Sequence, residues 1–269
     1  NIETYDKFWD LELSKKIKKI HGKFDLIYSA NTISHIHDLK DALQSINLIL
    51  NDDGVFILED PSLVEVIKNT SYDQFYDEHA YVFSILALNN LLQVTELEIF
   101  DIEKLTTHGG SNRVFIKKKK SNKTITDNVI EIIDEELNMG MDKFETYQKF
   151  AQNVINSKNE TIKIFTELKK KNAKIIGYGA TYKSSTILNY CGLDTKFIDY
   201  FTDTTENKQG KFTPGTHIPI FKPTNEINLE INHIFLGAWN FKKEIFNKEK
   251  KFIERGGKFI SHVPYPQII

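Results

Sequence analysis

Residues 24–59 limit the fold most strongly, because they read in order as strand, helix, turn and strand. Phe24-Asp25-Leu26-Ile27-Tyr28-Ser29 is a mostly apolar run of strand length. Leu39, Ala42, Leu43, Ile46 and Leu50 recur at three- and four-residue spacings, which predicts a helix over residues 38–50. Asn51-Asp52-Asp53-Gly54 reads as a turn with Gly54 in the left-handed position, and Val55-Phe56-Ile57-Leu58-Glu59 as the next strand. Such a unit is a crossover between parallel strands of an α/β sheet. Ligands of these sheets gather beyond the carboxyl ends of the strands. Here those ends are Ala30-Asn31 with His35, and Glu59-Asp60-Pro61.

The pattern continues on both sides. Phe8, Leu11, Leu13, Ile17 and Ile20 predict a leading helix, residues 81–92 a further helix, and residues 94–101 and 113–116 two strands that pair across a loop at 107–111. Polar residues 117–127 suggest a first-domain boundary near Ser121. Apolar positions from Ile130 to Leu168 describe connector helices. A second α/β domain then opens with a strand at 173–176, the turn Gly177-Tyr178-Gly179-Ala180, a helix through 186–190 and a strand at 196–200 leading to Asp203. Strands at 233–237 and 258–261 flank a helix over 242–253, with Gly256-Gly257 as the last turn. The expected organisation is a partial Rossmann-like domain over 1–121, a helical connector over 122–171 and a C-terminal Rossmann-like domain over 172–269.

Composition narrows the function classes. The 35 lysines and arginines nearly balance the 37 aspartates and glutamates, so no net field favours nucleic acid or an anionic membrane. The run Lys117 to Lys120 reads as a solvated strand end. One cysteine, Cys191, excludes an internal disulfide and a multi-thiolate zinc site within the chain, and no metal is expected. No apolar stretch approaches the roughly 18 residues of a membrane span, and a cytoplasmic location is the expectation.

Two clusters have a reactive composition. Tyr76-Asp77-Glu78-His79 and Thr107-His108-Gly109-Gly110-Ser111 set two histidines, carboxylates and a phenol beside a glycine pair. Histidine ordinarily titrates near neutrality, and a neighbouring carboxylate or phenol can orient it for proton transfer. Bland readings exist for each residue. His35 can sit at a helix start, His108 can satisfy loop backbone, Tyr76 can be core, Glu78 can pair with a surface lysine, and the glycines can be only a hairpin. His21, His37 and His262 have no motif and read as surface or structural. Gly177 and Gly179 imitate a dinucleotide turn, but Tyr182 fills the third glycine position, which fits better a phosphate at the helix start with Lys183 nearby.

Taken with Asn189-Tyr190-Cys191-Gly192, Lys208-Gln209-Gly210-Lys211, Pro214-Gly215-Thr216-His217-Ile218-Pro219 and Ala238-Trp239-Asn240, these motifs make nearly the whole chain resemble the C-methyltransferases of nucleotide-linked ketosugars. The resemblance implies a class I S-adenosylmethionine fold followed by a Rossmann-like domain, with the sugar nucleotide held between them. It implies methylation of the carbon adjacent to the keto group, with thymidine diphosphate (dTDP) as the expected carrier. By the same resemblance His79 is the base, while Tyr76, Glu78, Asn31 and His35 hold the sugar and its enolate. Ala30 and Asn31 would meet the cofactor, and His108, Gly109, Gly110, Ser111, Gly179, Lys183, Lys208 and Lys211 the rest of the substrate.

The chain also departs from the family. Asp77 stands where a histidine often precedes the glutamate, and Val82 where an aromatic is common. The chain has no glycine-rich cofactor loop upstream of Phe24, no acidic ribose ligand after a second strand, and no cysteine-rich zinc module. Phe24 to Ser29 would match the fourth strand of the methyltransferase sheet, so a truncated chain with an open strand edge and poor methyl transfer on its own is the expectation. A non-catalytic sugar-nucleotide binder and an NAD(P)-dependent oxidoreductase built on Gly177 and Gly179 are the other readings.

Overall fold

The computed structural model describes residues 2–224 and 226–269, and the chain divides into two units. One holds the chain up to Glu65 together with Asp77–Thr146, and the other holds Val66–Tyr76 and Tyr147–Ile269.

In the first unit α1 (Leu11–His21) starts at Asp10, whose carboxylate accepts from the Leu13 amide, and stops at Gly22. β1 (Phe24–Ala30), α2 (Leu39–Ile49) and β2 (Leu50–Pro61) form the expected crossover, with β1 and β2 adjacent and parallel. α3 (Leu63–Lys68) leads away from β2, and α4 (Ile85–Gln93) precedes β3 (Leu97–Leu105) and β4 (Ser111–Lys118). The sheet order is β1-β2-β4-β3, with β4 antiparallel to both its neighbours. α5 (Asp127–Asn138) closes the core through Val129 and Ile132, which pack with Leu43, Ile46, Phe56, Leu88 and Ile116.

The expected turn at Asn51 to Gly54 is instead part of β2, and Gly54 is not left-handed. A side chain there would meet Leu50 Cδ1 at 2.8 Å and the Phe24 carbonyl at 3.0 Å, so the residue serves strand approach. The helix expected over residues 81–92 begins only at Ile85, where the Ser84 hydroxyl accepts from the Ala87 amide. Glu136, buried on α5, accepts from the Ile85 amide at 2.9 Å and the Leu86 amide at 2.7 Å, satisfying two orphan donors of the same helix start.

α6 (Phe144–Lys170) is the long helix the sequence suggested, and its Phe165 and Leu168 enter the core of the second unit. α5 packs into the core of the first unit and most of α6 into that of the second. The second sheet contains β5 (Ile175–Tyr178), β6 (Phe201–Thr202), β7 (Ile220–Phe221), β8 (His233–Leu236), β9 (Lys258–Ser261) and β10 (Gln267–Ile268). Its order is β10-β9-β8-β5-β6-β7, parallel except for β10. α7 (Tyr182–Cys191) follows β5, while α8 (Lys242–Lys248) and α9 (Lys250–Glu254) divide the single helix expected over 242–253.

Of the strand expected over 196–200 the first part is a turn, because the Asp194 side chain and carbonyl collect the amides of Lys196, Phe197 and Ile198; bonding to β5 begins at Asp199, whose amide donates to the Ile175 carbonyl. The chain leaves β5 in one direction for β6 and β7 and returns on the other side for β8. That reversal is a topological switch point. Among the described residues no helix is long and apolar enough to cross a membrane.

Glu136→Ala should lower the unfolding free energy of the first unit by about 2–3 kcal/mol, as expected for loss of charge-assisted hydrogen bonds to buried amides, and Glu136→Gln by less. Urea denaturation of both variants checks this.

Candidate active site

In the first unit the chain turns sharply where β1 ends. Asn31 takes a left-handed backbone (φ 49°), and its amide donates to the Glu59 carbonyl at 2.8 Å, tying the ends of β1 and β2 together. A short 3-10 turn, Ile33–His35, follows. Ser34, 1 % exposed, donates its hydroxyl to Asp60 Oδ1 at 3.0 Å. The Ser34 carbonyl accepts from the Tyr81 amide at 3.1 Å, and the Tyr81 hydroxyl donates to the His37 carbonyl at 2.9 Å. These bonds draw the segment containing His79 against the turn containing His35. The two imidazoles meet edge to face, with centroids 5.1 Å apart and planes at 82°. His79 and His35 are half-buried, whereas Glu78 and Asn31 are exposed.

The loop between β3 and β4 is more than a hairpin. His108 is left-handed (φ 55°, ψ 16°), and Gly110 has φ 124° with no space for a side chain, since a Cβ would lie 2.6 Å from Glu65 Cγ. The Gly110 carbonyl accepts from the Ser62 amide at 3.0 Å, and Ser111 donates its hydroxyl to the Thr107 carbonyl at 3.0 Å. Left-handed backbone at two non-glycine candidates, Asn31 and His108, is the kind of strain that clusters at functional sites. Ala30 and Thr32 line a cavity of about 420 Å³ with Trp9, Ile27, Ile33 and Phe56.

Asp60 stands out electrostatically. It is 5 % exposed, its Oδ2 has no hydrogen-bond partner, and burial raises its carboxyl to about 6 against the opposing effect of the Ser34 hydrogen bond. The Glu59 charge adds a smaller upward push.

In the second unit the candidates lie at the switch point. Gly179 ends β5 at φ 83°, where a Cβ would sit 2.6 Å from that of Ala238. Thr181 caps α7 by accepting from the Ser184 amide at 3.0 Å. The Ala180 amide donates to Asp203 Oδ2 at 2.8 Å, and Lys208 donates to the Ala180 carbonyl at 2.9 Å while standing 3.5 Å from the same carboxylate. Lys208, Lys211, Ala180, Thr181, Tyr182 and Phe212 line a cavity of about 200 Å³. Tyr182, 60 % exposed, stacks on Tyr76 with centroids 5.7 Å apart and planes 13° from parallel.

Lys183 is turned elsewhere. It is 8 % exposed, with Nζ 5.3 Å from the Trp239 ring centre; burial lowers its pKa and the Asp73 charge raises it. Asp73, fully buried, accepts from Trp239 Nε1 at 2.5 Å and lies 3.4 Å from His262 Nε2. His262 is 1 % exposed and is therefore structural, one of the two readings its sequence context allowed. Asp73 and Trp239 are 166 positions apart, so no local pattern could have paired them. Tyr72, Asp73 and Phe75 explain why the segment before Tyr76 belongs to the second unit: Tyr72 packs with Phe165, Ile187 and Cys191, and Phe75 against Phe150. Among the described residues no group of three or more histidine, cysteine or acidic side chains is placed to hold a metal ion.

Comparison with known proteins gives two family matches: "C-methyltransferase C-terminal domain" over residues 106–264 and "Methyltransferase domain" over residues 2–101. The chain is also 33 % identical over 268 residues to C-methyltransferase NovU of Streptomyces niveus, an alignment covering all of this chain and 64 % of that protein.

Asp60 sets a pH dependence whose sign follows from its raised folded-state pKa. The folded state holds the proton more tightly, so stability is fully present below the ordinary pKa of 3.8 and is lost as pH rises through about 6. Relative to Asp60→Asn, the wild-type protein should lose about 2–2.5 kcal/mol between pH 4 and 7, measured by urea titration at each pH; a difference that does not vary with pH would contradict it.

Proposed function

The chain belongs to the C-methyltransferase family, and we propose that it carries out carbon deprotonation and substrate binding in S-adenosylmethionine-dependent methylation next to the keto group of a nucleotide-linked sugar. The observation that carries this reading is the His35–His79 pair at the carboxyl end of a parallel strand pair. A ketone acidifies its neighbouring carbon, and an imidazole is the side chain suited to take that proton near neutral pH.

In this reading His79 is the base. Asn31, His35 and Tyr76 supply donors toward the developing enolate oxygen, and Glu78 accepts from a sugar hydroxyl. Donors fixed before the reaction stabilise charge as it develops without reorganising. The loop His108 to Ser111, held by its bonds to Ser62 and Thr107, borders the sugar.

The cavity beside Ala30 suits the flat adenine ring of a cofactor rather than its charged amino-acid end. Its walls are mostly hydrocarbon, and Ser29, which also lines it, has a buried hydroxyl without a partner. Ala30 and Asn31 would hold S-adenosylmethionine, which supplies an electrophilic methyl group. In the second unit Lys208, Lys211 and the backbone after Gly179 suit a diphosphate, with the exposed rings of Tyr182 and Phe212 beside a nucleobase. The resemblance of the chain's motifs to the C-methyltransferases of nucleotide-linked ketosugars supports a sugar-nucleotide substrate, for which we take dTDP as the carrier.

A nicotinamide reading finds less support. The acid after β6, Asp203, would have to meet a ribose, yet it is engaged by the Ala180 and Thr205 amides and by Lys208. A binder without catalysis remains the competing reading, and proton exchange separates the two. In D2O, with a dTDP-linked ketosugar and no methyl donor, the chain should exchange the proton beside the ketone, read by NMR. His79→Asn should slow exchange by roughly 100-fold or more. No exchange above the uncatalysed rate would leave only binding. Lys211→Ala should weaken dTDP binding by about tenfold, as loss of one charge-assisted contact implies, and calorimetry checks this.

A further inference from the structure

We propose that Asp60 is a positioning residue for the His35–His79 pair, acting through Ser34. The inference rests on the reading of His79 as the base.

Its basis is a continuous set of bonds within the first unit. Asp60 ends a long, well-paired strand, with β1 on one side and β4 on the other. Its carboxylate accepts the hydroxyl of Ser34, the residue immediately before His35. The carbonyl of Ser34 in turn accepts from Tyr81, two residues after His79. One buried serine thus links the rigid sheet to the two short segments that carry the imidazoles. His35 ends a three-residue turn, and His79 lies in the loop before α4.

The carboxylate is poorly suited to a purely structural role. It is buried with one oxygen unpartnered, and burial raises its pKa, so the ionised form opposes folding near neutral pH. A neutral acceptor at the same place could hold Ser34 without that cost. A hydroxyl held by a carboxylate is, however, tethered more strongly than one held by a neutral acceptor.

Three variants of the full chain test this: Ser34→Ala, Asp60→Ala and Asp60→Asn. The readouts are the imidazole Cε1–H NMR signals and the rate of deuterium exchange into a dTDP-linked ketosugar. Ser34→Ala and Asp60→Ala should displace the signals of His35 and His79 while leaving that of His233 in place. They should also slow exchange at saturating sugar nucleotide at least tenfold, with half-saturation changed less than threefold. Asp60→Asn, which retains an acceptor for the Ser34 hydroxyl, should recover most of the rate. If Ser34→Ala folds and keeps both histidine signals and an exchange rate within twofold of wild type, the inference is overturned, whatever Asp60→Ala does to folding. Absence of exchange in the wild-type chain would instead count against His79 as a base, and the histidine signals would still report whether Asp60 positions the pair.

Discussion

Parallel pairing of β1 with β2 is the constraint on which the chemistry of the first unit depends. It brings two strand ends side by side, and the bond from the Asn31 amide to the Glu59 carbonyl turns the chain as soon as β1 stops. That turn delivers Ser34 to Asp60 and His35 toward His79. Parallel strands leave their carboxyl ends facing the same way, so any side chains just beyond them are gathered without further design. The apolar face that drives the pairing, including Phe56, Leu58 and Ile46, contributes the stability against which a left-handed asparagine and a buried carboxylate are tolerated.

The second unit repeats the device with different residues. Gly179 ends the central strand in a conformation that only glycine tolerates beside Ala238, and α7 starts at once with its cap satisfied by Thr181. Lysines from a later loop reach the same place because Asp203, at the end of the neighbouring strand, holds both the Ala180 amide and Lys208. Buried polar residues at such a site need partners, and Asp73 with Trp239 shows how far in sequence the chain reaches for one.

Much of this was legible in the sequence, and the reasons differ by element. Helical periodicity located α2 within a residue of each end, and apolar runs located β1 and the β3–β4 pair. The misreadings arose where local chemistry overrode pattern. Asn51 to Gly54 has turn composition, yet strand pairing claims it; residues 196–198 lie in a run apolar enough for a strand, yet Asp194 gathers their amides into a turn. Among the candidate residues the meeting of His35 with His79 followed from adjacent strand ends, whereas the burial of Lys183 over Trp239 did not. Two further contributors, Asp73 and the Tyr182 stack on Tyr76, depend on contacts between distant segments and left no periodic signal.

The most direct test of the account is a crystal structure of the chain with a dTDP-linked ketosugar bound. The account predicts a ring nitrogen of His79 within about 3–3.5 Å of the carbon beside the ketone, as a near-attack geometry requires, and the diphosphate against Lys208 and Lys211. A sugar bound with its keto carbon away from His79, or a diphosphate away from both lysines, would contradict it.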